Sequence, residues 1–242
     1  MVRIAINGLG RIGRCVIRAL IENPRDDIEL VAVNGPAEID THVHLLKYDS
    51  VHGTCKDIAK KDENTLLIAG KEVPLYRHRN PEELPWGELK VDVVLECTGK
   101  FKDKGTASTH LKAGAKKVLI SAPASDDSPM IVYGVNDDIL NENMHVLSIG
   151  SCTTNCLAPV VKVLYNTVGI EAAFMTTIHA YTGDQNILDG SHKDLRRARA
   201  AGVSMVPTST GAAKAVGKVI PELKGKFDGV AIRVPTPNVS MV

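Results

Sequence analysis

Apolar positions in the first part of the chain switch between a strand-like and a helix-like period. Val2 to Ile6 is a short β-branched run, and Arg14-Cys15-Val16-Ile17-Arg18-Ala19-Leu20-Ile21 then places apolar residues at helical spacing. A second strand is predicted at Ile28 to Asn34, and further strands at Val91 to Cys97 and Val118 to Ser121, with a helical segment at Thr106 to Ala113 between them. Fully apolar runs of this kind suit a parallel sheet buried on both faces. Segments 56–59, 65–68 and 72–76, separated by short polar turns, predict an antiparallel insertion. Met130 to Val135 and Val146 to Ile149 are expected to complete the sheet. No internal repeat or low-complexity tract interrupts the chain, and the domain boundary is placed near Gly150, giving domains 1–150 and 151–242.

Between the first strand and the first helix lies Asn7-Gly8-Leu9-Gly10-Arg11-Ile12-Gly13. A G-x-G-x-x-G alone is a weak signal, but here it has the strand and helix it needs, and the second strand follows at the expected distance. Gly8 allows the turn, Gly10 lets a pyrophosphate approach the backbone, and Gly13 lets the helix lie close on the strand. The expected architecture is an α/β Rossmann domain, an open sheet with its ligand at the carboxyl edge of the strands. After Asn34 the chain has Gly35-Pro36, where an acidic residue would bond a ribose 2′-hydroxyl and repel a 2′-phosphate. Its absence removes that repulsion, unless Glu38 or Asp40 substitutes.

Charge narrows the partners. Twenty-nine Lys+Arg against 28 Asp+Glu leave a formal net charge of +1, so no overall field draws the chain to nucleic acid or an anionic membrane. No apolar run reaches about 18 residues, and none is expected to span a membrane. Met1 leads directly into the first strand without an apolar signal core. The five cysteines are scattered and lack paired metal-type spacing, so a reducing cytoplasm is the expected location.

Candidate chemistry concentrates after Gly150. Ser151-Cys152-Thr153-Thr154-Asn155-Cys156 follows an apolar run and leads into a helical pattern, which places the Cys152 thiol at a helix N-terminus. The orphan N–H groups and the macrodipole stabilise an anion there. Glu171 to His179 reads as a strand that delivers His179 at its end, within reach of the thiol. A Cys/His couple beside a nicotinamide pocket suits covalent aldehyde oxidation. A metal reading of Cys152, Cys156 and His179 lacks a fourth ligand and would make the nucleophile inert. His42 and His44 diverge on a predicted helix, and both read as structural. The Lys193 to Arg199 cluster has no interleaved aromatics, which favours a small phosphorylated ligand over nucleic acid. Thr208-Ser209-Thr210-Gly211 opens a further helix as a phosphate site, and Arg233, at the end of strand 230–232, supplies a charged fork.

Taken together, residues 6–14, Leu45-Leu46-Lys47-Tyr48-Asp49-Ser50, Ser151 to Cys156, His179-Ala180-Tyr181-Thr182 and Ser209 to Gly217 resemble phosphorylating glyceraldehyde-3-phosphate dehydrogenase. The resemblance runs from Met1 to Val242. It implies an α+β catalytic domain after the Rossmann domain, a Cys152 nucleophile activated by His179, and glyceraldehyde 3-phosphate and inorganic phosphate as partners. It assigns Ser151, Thr153, Thr182, Arg197, Thr210, Gly211 and Arg233 to the two phosphates. Arg11, Ile12, Arg79, Ser121 and the Thr98-Gly99 turn fall to the cofactor, beside Gly8, Gly10, Gly13, Asn34 and Gly35. It also implies a homotetramer, in which the loop around Ser191 needs a neighbouring subunit to make its cofactor contact. Erythrose-4-phosphate dehydrogenase, which hydrolyses its thioester, and a non-catalytic cofactor-binding scaffold are the alternatives. Gly35, and Gly190-Ser191 where Leu-Pro is typical of NAD-specific members, resemble NADP-using members, so NADP or dual use is expected. The chain stops at Val242 as the family's catalytic sheet is being completed, and is expected to be a fragment.

Overall fold

The computed structural model describes residues 1–242 and divides into two compact units. The first holds residues 1–130 and 140–149, and the second holds 131–139 and 150–242. No helix is long and apolar enough to cross a membrane.

The first unit is built on one eight-stranded sheet. Its elements are β1 (Val2–Asn7), α1 (Arg11–Glu22), β2 (Ile28–Asn34), α2 (Ile39–Lys47), the two-residue strands β3 (Tyr48–Asp49) and β4 (Gly53–Thr54), β5 (Ile58–Asp62), β6 (Thr65–Ile68) and β7 (Lys71–Tyr76). They continue with β8 (Val93–Glu96), α3 (Lys104–Ala107), α4 (Thr109–Lys112), β9 (Lys117–Ile120) and β10 (Val146–Ser148). The strand order is β10-β9-β8-β1-β2-β7-β6-β5. The pairs from β10 to β7 are parallel and the last two are antiparallel. The antiparallel insertion is thus joined to the main sheet, because β7 pairs with β2 through Val33–Leu75 and Asn34–Tyr76. Apolar side chains pack on both faces, Ile6, Ile17, Val33 and Leu46 in one cluster and Ala5, Ala32, Trp86 and Val94 in another.

Two expectations are corrected. The helical segment from Thr106 to Ala113 is two single-turn pieces that meet at Ser108. Met130 to Val135 is not a strand: Met130 makes an isolated bridge to Ser148, and the chain then turns at Gly134, whose φ is +74°. The Asn136 side chain accepts from Val132 N at 2.9 Å, which gives the backbone a turn in place of a sheet ladder.

A buried polar chain ties the carboxyl ends of β1, β2 and β8 together. Trp86 Nε1–H donates to His110 Nδ1 at 2.9 Å, so the neutral imidazole carries its proton on Nε2 and donates to Glu96 Oε2 at 3.0 Å. Asn7 Nδ2 donates to the same oxygen at 2.6 Å, and Asn34 Nδ2 donates to Asn7 Oδ1 at 2.7 Å. The other Glu96 oxygen accepts from the backbone N–H and hydroxyl of Thr98. A fully buried carboxylate is tolerable because donors surround it.

The second unit holds α5 (Cys152–Val168), β11 (Ala173–Ala180), β12 (Val206–Ser209), α6 (Ala212–Val219) and β13 (Phe227–Val234). Its three strands run β11-β13-β12, with β11 and β13 parallel and β12 antiparallel to β13. Inward-facing Met175, Ala212 and Ala213 form its small core, whereas Phe174, Ile178 and Val230 on the strands stay exposed.

Candidate active site

In an open parallel sheet the ligand crevice lies where strand order reverses. Here that point falls between β1 and β8, and the glycine loop sits on it. Gly8 has φ +103°, and a Cβ there would stand 2.7 Å from Thr98 N. A Cβ on Gly13 would stand 2.1 Å from the Gly8 carbonyl oxygen, so only glycine lets α1 start this close to its own strand. Gly10, by contrast, has open space on its Cα.

A cavity of about 400 Å³ opens over this loop within the first unit. Of the residues predicted for a cofactor, Gly8, Gly10, Asn34, Arg79 and Thr98 line it. Arg11, Ile12 and Gly13 form the first turn of α1 at its edge, Gly35 follows Asn34, Gly99 follows Thr98, and Ser121 follows β9 with its N–H on the Glu96 carbonyl. Ser191 lies in the second unit, in a loop without regular structure, where its carbonyl accepts from Asn186 Nδ2 at 3.5 Å. Sequence reasoning missed Leu9, Cys97, Phe101 and His42 as lining residues. His42, expected from its helical spacing to be structural, forms part of the wall. One of its ring nitrogens meets the Gly35 backbone, and the other has no hydrogen-bond partner. Open backbone at Gly10 and an orphaned polar group in the wall are what a bound dinucleotide would meet, and the residues fit that group.

Glu38 and Asp40 do not take the place of an acidic residue at position 35. Glu38 points at Arg77, 3.7 Å away, and Asp40 at Lys60, 3.2 Å away, and neither lines the cavity. The Tyr48-Asp49 motif has a local explanation: Asp49 accepts from the N–H groups of Val51 and His52, both at 2.9 Å, and pairs with Arg11. Burial would raise the Asp49 carboxyl, but those donors outweigh it and hold the pKa at about 2. Arg18, which sequence reasoning did not single out, anchors the same loop by donating to the carbonyls of Leu46, Lys47, His52 and Gly53.

In the second unit the chain delivers the thiol as expected. Ser151 caps α5, its hydroxyl accepting from Thr154 N at 3.1 Å, and Cys152 occupies the first helical position. The amides of Cys152 and Thr153 have no acceptor within the helix and point toward its entrance. β11 carries His179 to the same place, and Cys152 Sγ stands 3.4 Å from His179 Nε2. The sulfur is exposed, and the imidazole is buried. His179 Nδ1–H donates to the Ala180 carbonyl at 2.7 Å, which leaves Nε2 as a lone pair facing the thiol. Burial lowers the His179 pKa, the Ala180 carbonyl opposes this, and the Arg233 charge adds to it.

The predicted phosphate residues divide between two roles. Arg233 Nη1 donates to the Ala180 carbonyl at 3.2 Å and reaches Thr182 Oγ1 at 3.4 Å. Burial and the neighbouring Arg197 charge depress its pKa, the state of a cation short of anionic company. Arg197 donates to Thr208 Oγ1 at 3.0 and 2.7 Å and pairs with Asp184. Ser151 is occupied as a cap, Thr153 Oγ1 lies 3.9 Å from Cys152 Sγ, and Thr210 Oγ1 accepts from Ala212 N at 3.2 Å. Gly211 precedes α6 with open space over its Cα. The other two arginines of the basic cluster are paired within their own loop, Arg196 with Asp194 and Arg199 with Asp189. It therefore forms no broad anion-binding platform, and Arg197 alone of its arginines bonds a strand residue, Thr208 of β12.

A doubly wound sheet with a glycine loop at its switch point defines the first unit as a dinucleotide-binding domain. Residues 2–104 match the family profile described as glyceraldehyde 3-phosphate dehydrogenase, NAD binding domain, and residues 151–242 match the C-terminal domain of the same enzyme. Over its whole length the chain is 58% identical to glyceraldehyde-3-phosphate dehydrogenase of Xanthobacter flavus and 57% identical to that of Geobacillus stearothermophilus, and spans 72% of each. It is 52% identical to glyceraldehyde-3-phosphate dehydrogenase 2 of Bacillus subtilis (strain 168), spanning 71% of it. The chain belongs to the glyceraldehyde-3-phosphate dehydrogenase family.

Proposed function

We propose that this chain catalyses the reversible oxidative phosphorylation of D-glyceraldehyde 3-phosphate to 1,3-bisphosphoglycerate through a thioester on Cys152. The observation that carries this reading is the 3.4 Å approach of His179 Nε2 to Cys152 Sγ, with the imidazole neutral and its tautomer set by Ala180. His179 takes the thiol proton, and the thiolate adds to the aldehyde carbon. The amides of Cys152 and Thr153 at the start of α5 stabilise the developing oxyanion. His179 returns that proton to the oxyanion to give the hemithioacetal hydroxyl, and takes it back as the carbon is oxidised, leaving an acyl thioester on Cys152. Inorganic phosphate attacks that carbonyl, the carbon–sulfur bond breaks, and the acyl phosphate leaves with Cys152 restored as thiolate. Arg233 with Thr182, and Arg197 with Thr210 and Gly211, hold the two phosphate groups, while Ser151 and Thr153 position the loop that carries the thiol.

The nicotinamide cofactor, when bound, supplies the two-electron acceptor. Asn34, Arg79, Thr98 and the loop from Gly8 to Gly13 would hold it. With no acid facing position 35 and Arg79 in the cavity wall, NADP is accepted at least as well as NAD. A homotetramer that brings Ser191 of a neighbouring subunit to the cofactor completes this reading.

The test is the initial rate of glyceraldehyde 3-phosphate oxidation with and without inorganic phosphate, using NADP and NAD side by side. A phosphate-dependent rate with NADP at least equal to NAD supports both parts. A rate that ignores phosphate points to thioester hydrolysis, and a rate with NAD alone removes the cofactor preference.

A further inference from the structure

Gly35 and His42 occupy one another's space. An ideal Cβ on Gly35 would stand 2.7 Å from His42 Nε2 and 2.8 Å from its Cε1. An acidic side chain at position 35 would therefore require the His42 ring to move from its present place. The imidazole sits where such a side chain would begin. His42 is only 4% exposed and lines the cofactor cavity; the Gly35 backbone is the one hydrogen-bonding group that acts on its ring, which leaves a ring nitrogen without a partner. Buried polar atoms in native proteins are seldom left this way, and the exceptions call for an explanation such as an absent ligand.

The charges around the ring favour an anion. The charges of Arg14 on α1 and of Arg77 in the segment after β7 act on the ring, and each arginine has a buried Nε that lacks a partner. Both oppose a positive charge on the ring, adding to burial, which is the main cause of its lowered proton affinity, while the Gly35 backbone opposes the shift. The acids on neighbouring elements are engaged elsewhere: Glu38 faces Arg77, Asp40 faces Lys60 of β5, and Asp49 of β3 holds Arg11. β6 presents no titratable group. His78, also in the cavity wall, pairs with Glu83 at 2.9 Å.

We infer that His42 is the specificity-determining residue of the cofactor site, supplying from α2 the contact to the adenosine 2′ position that a strand-end acid would otherwise make, and favouring a 2′-phosphate over a 2′-hydroxyl. This rests on the proposed reading that the cavity holds the adenosine half of the cofactor. A hydroxyl can satisfy one ring nitrogen. A phosphate can accept from the ring, promote its protonation, and meet the surrounding cationic field. Binding of a 2′-phosphorylated ligand then takes up a proton near pH 7, whereas binding of the 2′-hydroxyl form does not.

Calorimetric titration of the chain with 2′,5′-ADP and with ADP, in buffers of different ionisation enthalpy, tests this without turnover. The expected result is proton uptake with 2′,5′-ADP only, and tighter binding of that ligand as pH falls from 8 to 6. In His42→Leu the preference for 2′,5′-ADP should fall by about ten-fold or more, the loss of one charge-assisted hydrogen bond, while ADP binding stays within about three-fold. His42→Gln, which keeps a neutral donor, should lose the proton uptake while retaining part of the preference. Unchanged preference in a folded variant, or no proton uptake in the wild type, overturns the role of His42. Failure of the wild type to bind either nucleotide would instead remove the cavity assignment on which it rests.

Discussion

Arg233 stands opposite His179 in the parallel register of β13 and β11, and its Nη1 lies 3.2 Å from the imidazole Nδ1. A strand pairing thus sets a fixed cation beside the proposed base. The charge opposes protonation of the ring, so Nε2 remains a lone pair at lower pH than an isolated histidine would allow.

Arg233→Gln should shift the pH dependence of the reaction. Burial remains the first cause of the lowered His179 pKa, but the Arg233 contribution disappears and the pKa rises. The base is lost as pH falls, so the acidic limb of kcat/KM moves to higher pH. If Arg233 also binds a phosphate, kcat/KM at its optimum should drop by about 10- to 100-fold, the worth of one charged hydrogen bond. An acidic limb that does not move would show that Arg233 has no hold on His179.

His179→Asn should lower kcat by about 10²- to 10⁴-fold, the usual range for a general base. Iodoacetamide labelling of Cys152 should slow at neutral pH and recover as pH rises, when hydroxide replaces the imidazole. Cys97 should stay unlabelled throughout, because burial pushes its thiol up to about 11, against a smaller opposing contribution from Ser121. Peptide mapping by mass spectrometry distinguishes these sites, and equal labelling of Cys152 in wild type and variant would separate His179 from thiol activation.

Acid should destabilise the fold through two histidines. His42 and His179 both have folded pKa values lowered from 6.5, chiefly by burial. The unfolded chain therefore binds protons first as pH falls below about 6.5, and stability drops until the folded-state values are passed. Urea midpoints between pH 8 and pH 5 should show this decline, and His42→Leu should flatten part of it. A variant with the same slope as the wild type would contradict the assignment.

Glu96→Ala should cost about 3 kcal/mol or more, because it leaves the donors of Asn7, His110 and Thr98 without their acceptor in a dry interior. Nucleotide affinity should fall with it, since Asn7, Asn34 and Thr98 line the cavity. Denaturation midpoint and nucleotide titration measure the two effects separately. A loss below about 1 kcal/mol would mean that water replaces the carboxylate.

Much of this protein was determined by local pattern alone. Period-2 and helical spacing around residues 2–34 specify strand, glycine loop, helix and strand, because each element needs only neighbours in the chain to declare its buried face. The Ser151-Cys152 cap and the helix after it are local in the same sense, and so is a histidine near the end of β11. Other features depended on which polar partners the folded chain brings together. Whether Met130 to Val135 joined the sheet was decided by the Asn136 side chain competing for Val132 N. The three arginines of the Lys193 to Arg199 cluster are paired with Asp184, Asp189 and Asp194 in the folded loop, a pairing that charge spacing along the chain did not announce. His42 looked structural because helical spacing turns it away from His44, and only packing of α2 against the end of β2 sets its ring over Gly35. Periodicity reports which face of an element avoids water. Which polar groups meet on that face, and which remain without a partner, is decided when separate elements dock.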